Sequence, residues 1–147
     1  MRTLAVDPGT RRVGLALSDE GGKWATPYAV LEIQSESEAI ERIIAIIGKE
    51  GVERIAIGLP LNMDGRPGPA AEASFAMGKT LQGQTGKPVI YLDERLSSFQ
   101  AEQTLNDRKG GGEKLTRAGK KRRLDAIAAV VFLQDFLDGK VGAISPP

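Results

Sequence analysis

Two short β-prone runs, Thr3 to Val6 and Val13 to Leu17, stand near the start of the chain on either side of Asp7-Pro8-Gly9-Thr10, which is turn chemistry. The pattern predicts a β-hairpin beginning almost at the N-terminus, and later elements must build on its edges. A hairpin does not require an acid. Asp7 falls where the first strand gives out, and a turn accepts Asp there for its own backbone hydrogen bonds. Taken alone, Asp7 reads equally well as a turn residue and as a functional carboxylate.

Taken in order, the rest of the chain extends the hairpin into an α/β domain. Trp24 to Ile33 suits a third strand entered through Glu20-Gly21-Gly22, which makes an antiparallel meander. Ser35 and Glu38 form a capping-box pair, and Ile40, Ile43, Ile44 and Ile47 recur at helical spacing until Gly48. Arg54 to Gly58 is a fourth strand, most simply parallel to the first because a helical crossover precedes it. A Gly/Pro loop, Leu61 to Pro69, leads to a helix over Ala70 to Gln82, with Ala70, Ala73, Met77 and Leu81 on one side. Pro88 to Leu92 is a fifth strand running into Asp93-Glu94-Arg95, and Ser97 with Gln100 opens a helix to about Asp107. Gly110-Gly111-Gly112 predicts a mobile loop, and a last, apolar helix covers about Lys120 to Leu137. One domain over residues 1–140 and a C-terminal tail over 141–147 are expected.

The fold class that follows is α/β, a five-stranded mixed sheet in which an antiparallel meander is joined by two parallel strands and flanked by helices. In open α/β sheets, ligands bind outside the carboxyl ends of the parallel strands. Asp7 and Asp93-Glu94 lie at two such ends.

Composition narrows the chemistry available there. The chain of 147 residues has no cysteine and no histidine, which removes thiolate metal sites, thiol nucleophiles, the usual zinc ligand and the usual general base. Carboxylates, hydroxyls, Lys, Arg or a bound metal must do the work. No apolar run approaches a membrane span and no signal-peptide layout is present, so a cytoplasmic protein without membrane contact is expected. Net charge is only +1, but the cations Arg108, Lys109, Lys114, Arg117, Lys120, Lys121, Arg122 and Arg123 crowd one stretch against Glu113 alone. Such a cluster suits a phosphate backbone.

Acids at the ends of the first and fifth strands can face one site if the strands are neighbours or one removed, since strands lie about 5 Å apart. Clustered carboxylates repel one another and recruit hard divalent cations, Mg²⁺ or Mn²⁺ above all. Asp125 is a third candidate. It shares a helix face with Ala129, Phe132 and Phe136, so it heads the side expected to pack on the sheet. A salt bridge to Lys121 or Arg122 would explain its charge but not that place.

Four blocks carry a resemblance: Val6-Asp7-Pro8-Gly9-Thr10-Arg11-Arg12-Val13-Gly14, Gly58-Leu59-Pro60 with Asn62-Met63-Asp64-Gly65, Asp93-Glu94-Arg95-Leu96-Ser97-Ser98, and Asp125-Ala126-Ile127-Ala128-Ala129. In that order they look like the signature blocks of the YqgF/RuvX family, described as Holliday-junction resolvases with an RNase H-like fold and as nucleases that complete the 5′ end of pre-16S ribosomal RNA. Ser97-Ser98 stands where the family more often has two threonines.

The resemblance implies a metal-dependent endonuclease with Asp7, Asp125 and an acid of the Asp93-Glu94 pair as its catalytic, metal-binding set. Adjacent strand residues point to opposite faces, which leaves Asp93 and Glu94 both in play. Glu94 has the longer reach, and Asp93 would then hold Arg95 or cap the following helix. Arg11, Arg12, Asn62, Arg66, Arg95, Lys120, Lys121, Arg122 and Arg123 are the expected nucleic-acid contacts, the substrate being structured RNA or branched DNA and the protein a monomer or homodimer. Two other classes compete. Actin-like ATPases and sugar kinases share the strand-Asp-x-Gly-Thr pattern, but they close a cleft between two such domains and this chain has room for one. A non-catalytic nucleic-acid-binding module is the other, although binding alone does not need three converging acids.

Overall fold

The structure, a computed structural model, describes residues 1–94 and 117–145, with side chains in the second stretch from 126 onward. The expected Ser97 to Asp107 helix, Gly110 to Gly112 and Arg95 lie outside the described residues.

Five strands form one mixed sheet in the order β3-β2-β1-β4-β5. Strands β1 (Thr3–Asp7), β2 (Arg12–Ser18) and β3 (Ala25–Glu32) make the antiparallel meander, and β4 (Arg54–Leu59) and β5 (Val89–Asp93) continue it in parallel on the other side of β1. Helices α1 (Glu36–Glu50) and α2 (Pro69–Thr85) are the two crossovers, and α3 (Arg117–Leu137) covers the opposite face.

The alternation of side chains along each strand divides the core in two. Leu4, Val6, Ile55, Ile57, Leu59 and Tyr91 point to the face covered by α1 and α2, where Leu4, Ile43, Ile55 and Ile57 are fully buried. Each such side chain contributes about 1.5–3 kcal/mol relative to an exposed one. Ala5, Ala16, Ala56 and Leu92 point the other way, against Ala129, Phe132 and Leu133 of α3. The small residues in β1, β2 and β4 leave room for the helix to lie close.

The capping box forms at the predicted place. Ser35 Oγ accepts from the Glu38 N–H at 3.2 Å, and Glu38 reaches back to the Gln34 N–H at 2.8 Å. The helix does not stop at Gly48. It continues to Glu50 because Gly51 is the residue in the left-handed conformation, φ +64°, that closes the last turn. Helix α2 likewise passes Gln82 and runs to Thr85, and its buried side is Ala71, Ser74, Met77, Gly78 and Leu81, leaving Ala70 and Ala73 exposed. Ser74 can face inward because its hydroxyl donates to the Ala70 carbonyl at 3.1 Å. Within the expected tail, Ile144 pairs antiparallel with Tyr91 and its N–H donates to the Tyr91 carbonyl at 2.7 Å, covering part of the β5 edge. No helix among the described residues is long and apolar enough to cross a membrane.

Candidate nuclease site at the strand ends

Strand parity separates the two adjacent acids. Asp7 follows Ala5 on β1, and Glu94 follows Leu92 off the end of β5; Ala5 and Leu92 both belong to the α3 face. Asp93 follows Tyr91, whose side chain is in the core on the α1 and α2 face. Asp7 and Glu94 therefore share a face and an end of the sheet, and Asp93 faces away from them. Strand β4 lies between their strands, so two strand spacings, about 10 Å, separate the backbones. Side chains turned inward from both can approach across that gap.

Gly58 of β4 fills the middle position in this row, paired with Leu92. It has no side chain, and Glu94 folds into the space above it, with its Oε2 atom buried beside the Phe132 ring. The Glu94 N–H also donates to the Leu59 carbonyl at 3.3 Å, which ties the end of β5 to the end of β4.

Helix α3 runs antiparallel to the parallel strands. Near its C-terminal end, the Arg54 guanidinium stacks 4.9 Å above the Phe136 ring, at the start of β4, and Gln134 holds the β2–β3 connection by accepting from the Ala25 N–H at 2.8 Å and donating to the Lys23 carbonyl at 2.9 Å. One turn earlier, Phe132 lies against Gly58, near the end of β4. The backbone of Asp125 is a further seven residues back, about 10 Å along the helix axis and in the direction of the Asp7 and Glu94 end. Lys120 to Arg123 precede it on the same helix. The side chains of these five residues lie outside the description. Among the described residues no three acidic side chains gather around one point, and Asp125 is not among those whose side chain is described.

The predicted cations occupy two other places. Arg11 ends the β1–β2 turn and Arg12 opens β2, and with Thr10, Glu32, Ile33, Gln34 and Glu38 they line an open groove. Its floor is fixed by the Ile33 N–H donating to the Arg11 carbonyl at 2.9 Å. Asn62 and Arg66 belong to the loop that leaves β4, between the strands that carry Asp7 and Glu94. The Asn62 side chain is turned back against Gly68, and Arg66 is exposed, with its Nε 3.9 Å from Asp64 Oδ2. A second cleft of about 390 Å³ opens under Pro8, Gly9 and Thr10, between the first turns of α1 and α2. It is on the Asp93 side of the sheet. Met63, at the tip of the β4 loop, is a feature that sequence reasoning passed over, because exposure is not legible from residue type.

The family model described as "RuvX: Holliday junction resolvase" matches residues 1–139. A relative from Acidiphilium cryptum is 42% identical over 137 residues, 93% of this chain and 84% of its own, and one from Geobacillus thermodenitrificans is 39% identical over 142 residues, 95% of this chain and 99% of its own. Both carry the name "Putative pre-16S rRNA nuclease". Among solved structures, T. thermophilus RuvC in complex with a Holliday junction substrate superposes with a TM-score of 0.61 at 18% identity, covering 98% of this chain and 100% of that one. Fowlpox virus resolvase with Holliday junction DNA gives a TM-score of 0.56 at 8% identity, covering 95% and 98%. At these identities the structural likeness speaks for the fold, which is RNase H-like.

Proposed function

Because the chain belongs to the RuvX family of Holliday junction resolvases, we propose that it is a metal-dependent endonuclease that hydrolyses phosphodiester bonds, with the 5′ end of pre-16S ribosomal RNA as its substrate and branched DNA as the second substrate the family name implies. The observation that carries the reading is the placement of Asp7 and Glu94 on one face and at one end of the sheet, with α3 bringing the backbone of Asp125 toward the same end.

The donor chemistry fits a hard divalent cation, Mg²⁺ or Mn²⁺. The set consists of carboxylate oxygens alone, and Gly58 gives one of them, Glu94 Oε2, an enclosed position. Asp7, Glu94 and Asp125 are the residues that would hold it, with Asp93 facing the other side. When bound, such an ion supplies the positive charge that polarises a phosphoryl group and makes water a competent nucleophile near neutral pH.

The remaining roles fall to the chain's own cations. Arg11 and Arg12 stand just past Asp7, where a guanidinium can grip a phosphate with two parallel N–H bonds. Lys120 to Arg123 precede Asp125 on α3, and their charges are assigned to the phosphate backbone beyond the acids. With no histidine in the chain, imidazole takes no part in proton transfer.

The test is cleavage of labelled precursor 16S RNA and of a synthetic four-way DNA junction, side by side, with Mg²⁺ or Mn²⁺ and with chelator. Chelator-sensitive cutting at defined positions of either substrate supports the reading and assigns the substrate class. Salt-sensitive binding of both without cutting would overturn it in favour of a binding module.

A further inference from the structure

The loop after β4 is built to hold an apolar side chain in solvent. Met63 is 99% exposed, the most exposed of the large hydrophobic residues described. It sits at the second position of a β-turn closed by the Gly65 N–H donating to the Asn62 carbonyl at 2.8 Å, with Gly65 at φ +81°. The Asn62 N–H donates to the Arg66 carbonyl at 3.0 Å, which pairs the two stems, and the Arg66 N–H donates to Asp64 Oδ1 at 2.9 Å. Packing of the Asn62 side chain against Gly68 anchors the base of the loop. The turn is thus internally braced, and Met63 stands out at its corner.

Position and charge suggest what it meets. The loop springs from Leu59 and Pro60, at the carboxyl end of the strand between those that carry Asp7 and Glu94. A nucleic acid bound across those ends would lie next to it. Arg66, three residues from Met63, is exposed beside Asp64, and a guanidinium suits a phosphate, a different requirement from that of the apolar tip. An unbranched, polarizable methionine is one of the side chains that wedge between bases, and its thioether makes favourable contact with aromatic rings.

We propose that Met63 is an unstacking wedge, inserting between two bases beside the scissile phosphate while Arg66 holds the adjoining backbone. This inference rests on the nuclease reading and adds to it a residue that selects substrates by how easily a base step opens. A four-way junction, a bulge or a helix end opens more cheaply than continuous duplex.

The test uses the full chain carrying Asp7→Asn, so that substrate survives, with a four-way DNA junction and a precursor 16S RNA fragment, each carrying 2-aminopurine at successive positions around the cut site. A rise in 2-aminopurine emission at one step on binding, lost with added Met63→Ala and regained with Met63→Phe, is the expected result. Met63→Ala should also weaken binding by about tenfold, within the range seen when a base-stacking side chain is truncated, without altering the salt slope. Arg66→Ala should lower that slope by about one. Met63 is 99% exposed, so circular dichroism of Met63→Ala should match the parent. Emission unchanged by Met63→Ala, or binding without a rise at any position, overturns the wedge. If the wild-type chain still cuts in either case, the nuclease reading stands alone; if it neither binds nor cuts, both readings fall.

Discussion

A methyl group at position 58 would stand 2.6 Å from Glu94 Oε2 and 2.9 Å from Phe132 Cε2, so the bare backbone of Gly58 is what allows Glu94 to lie across β4 toward Asp7. One contact is with a carboxylate and the other with a core ring, and the two can be separated. Gly58→Ala is expected to lower stability by about 1–3 kcal/mol, the usual cost of overpacking, and to lower nuclease activity. Adding Phe132→Leu should recover part of the stability, read as Tm, without recovering activity, because Glu94 remains displaced. Recovery of both together would mean that Gly58 serves packing alone.

On the other face, Gly78 of α2 lies directly under Tyr91, whose hydroxyl donates to the Phe75 carbonyl at 3.3 Å and whose ring meets Phe75 edge-on with centroids 4.8 Å apart. Burial pushes the Tyr91 phenol up from its ordinary value of 10.0, which keeps it a neutral donor. Gly78→Ala should therefore destabilise the fold by about 1–3 kcal/mol while the cleavage rate of the folded fraction stays at the wild-type level. Thermal unfolding and active-fraction-corrected rates check this pair of outcomes.

Asp19 gives a pH dependence with a definite sign. Its Oδ1 accepts the N–H groups of Lys23 at 2.8 Å and Trp24 at 3.0 Å, and these bonds, Trp24's foremost, hold the carboxyl below its ordinary value of 3.8. Near that pH the unfolded chain binds more protons at this site than the folded one, so stability there rises with pH. The contribution is present above 3.8 and is lost as pH falls through the folded value. Trp24, the one tryptophan in the chain, reports the loss directly. Its emission should change in acid in the wild type, and Asp19→Ala should remove that acid limb; an unaltered limb would contradict the assignment.

The parts of this fold that depend on local pattern were legible in the sequence. The meander, the parallel order of β1, β4 and β5, and the Ser35–Glu38 cap follow from apolar runs, turn residues and spacing. The end of α1 did not, because Gly48 and Gly51 are equivalent as letters and only the backbone shows which one takes the left-handed conformation. The inward side of α2 was displaced because alanines carry little hydrophobic signal, and the space over Gly78 is decided by Tyr91 from a distant strand. At the site, Asp7 was marked by its place at a strand end. The faces that Asp93 and Glu94 take depend on the pairing of β5 with β4 and on the side on which α3 packs, neither of which is local. Met63 was invisible for the same reason, since its exposure is a property of the assembled loop.

The most direct measurement compares three single variants, Asp7→Asn, Glu94→Gln and Asp93→Asn, in the same Mg²⁺-dependent cleavage assay, on whichever of the RNA and junction substrates the wild type cuts. The parity of the strands predicts that Asp7→Asn and Glu94→Gln each lose more than the roughly 10–100-fold that removal of an outer partner costs, whereas Asp93→Asn keeps cutting. Loss of cleavage in Asp93→Asn with retention in Glu94→Gln would contradict the site as described here.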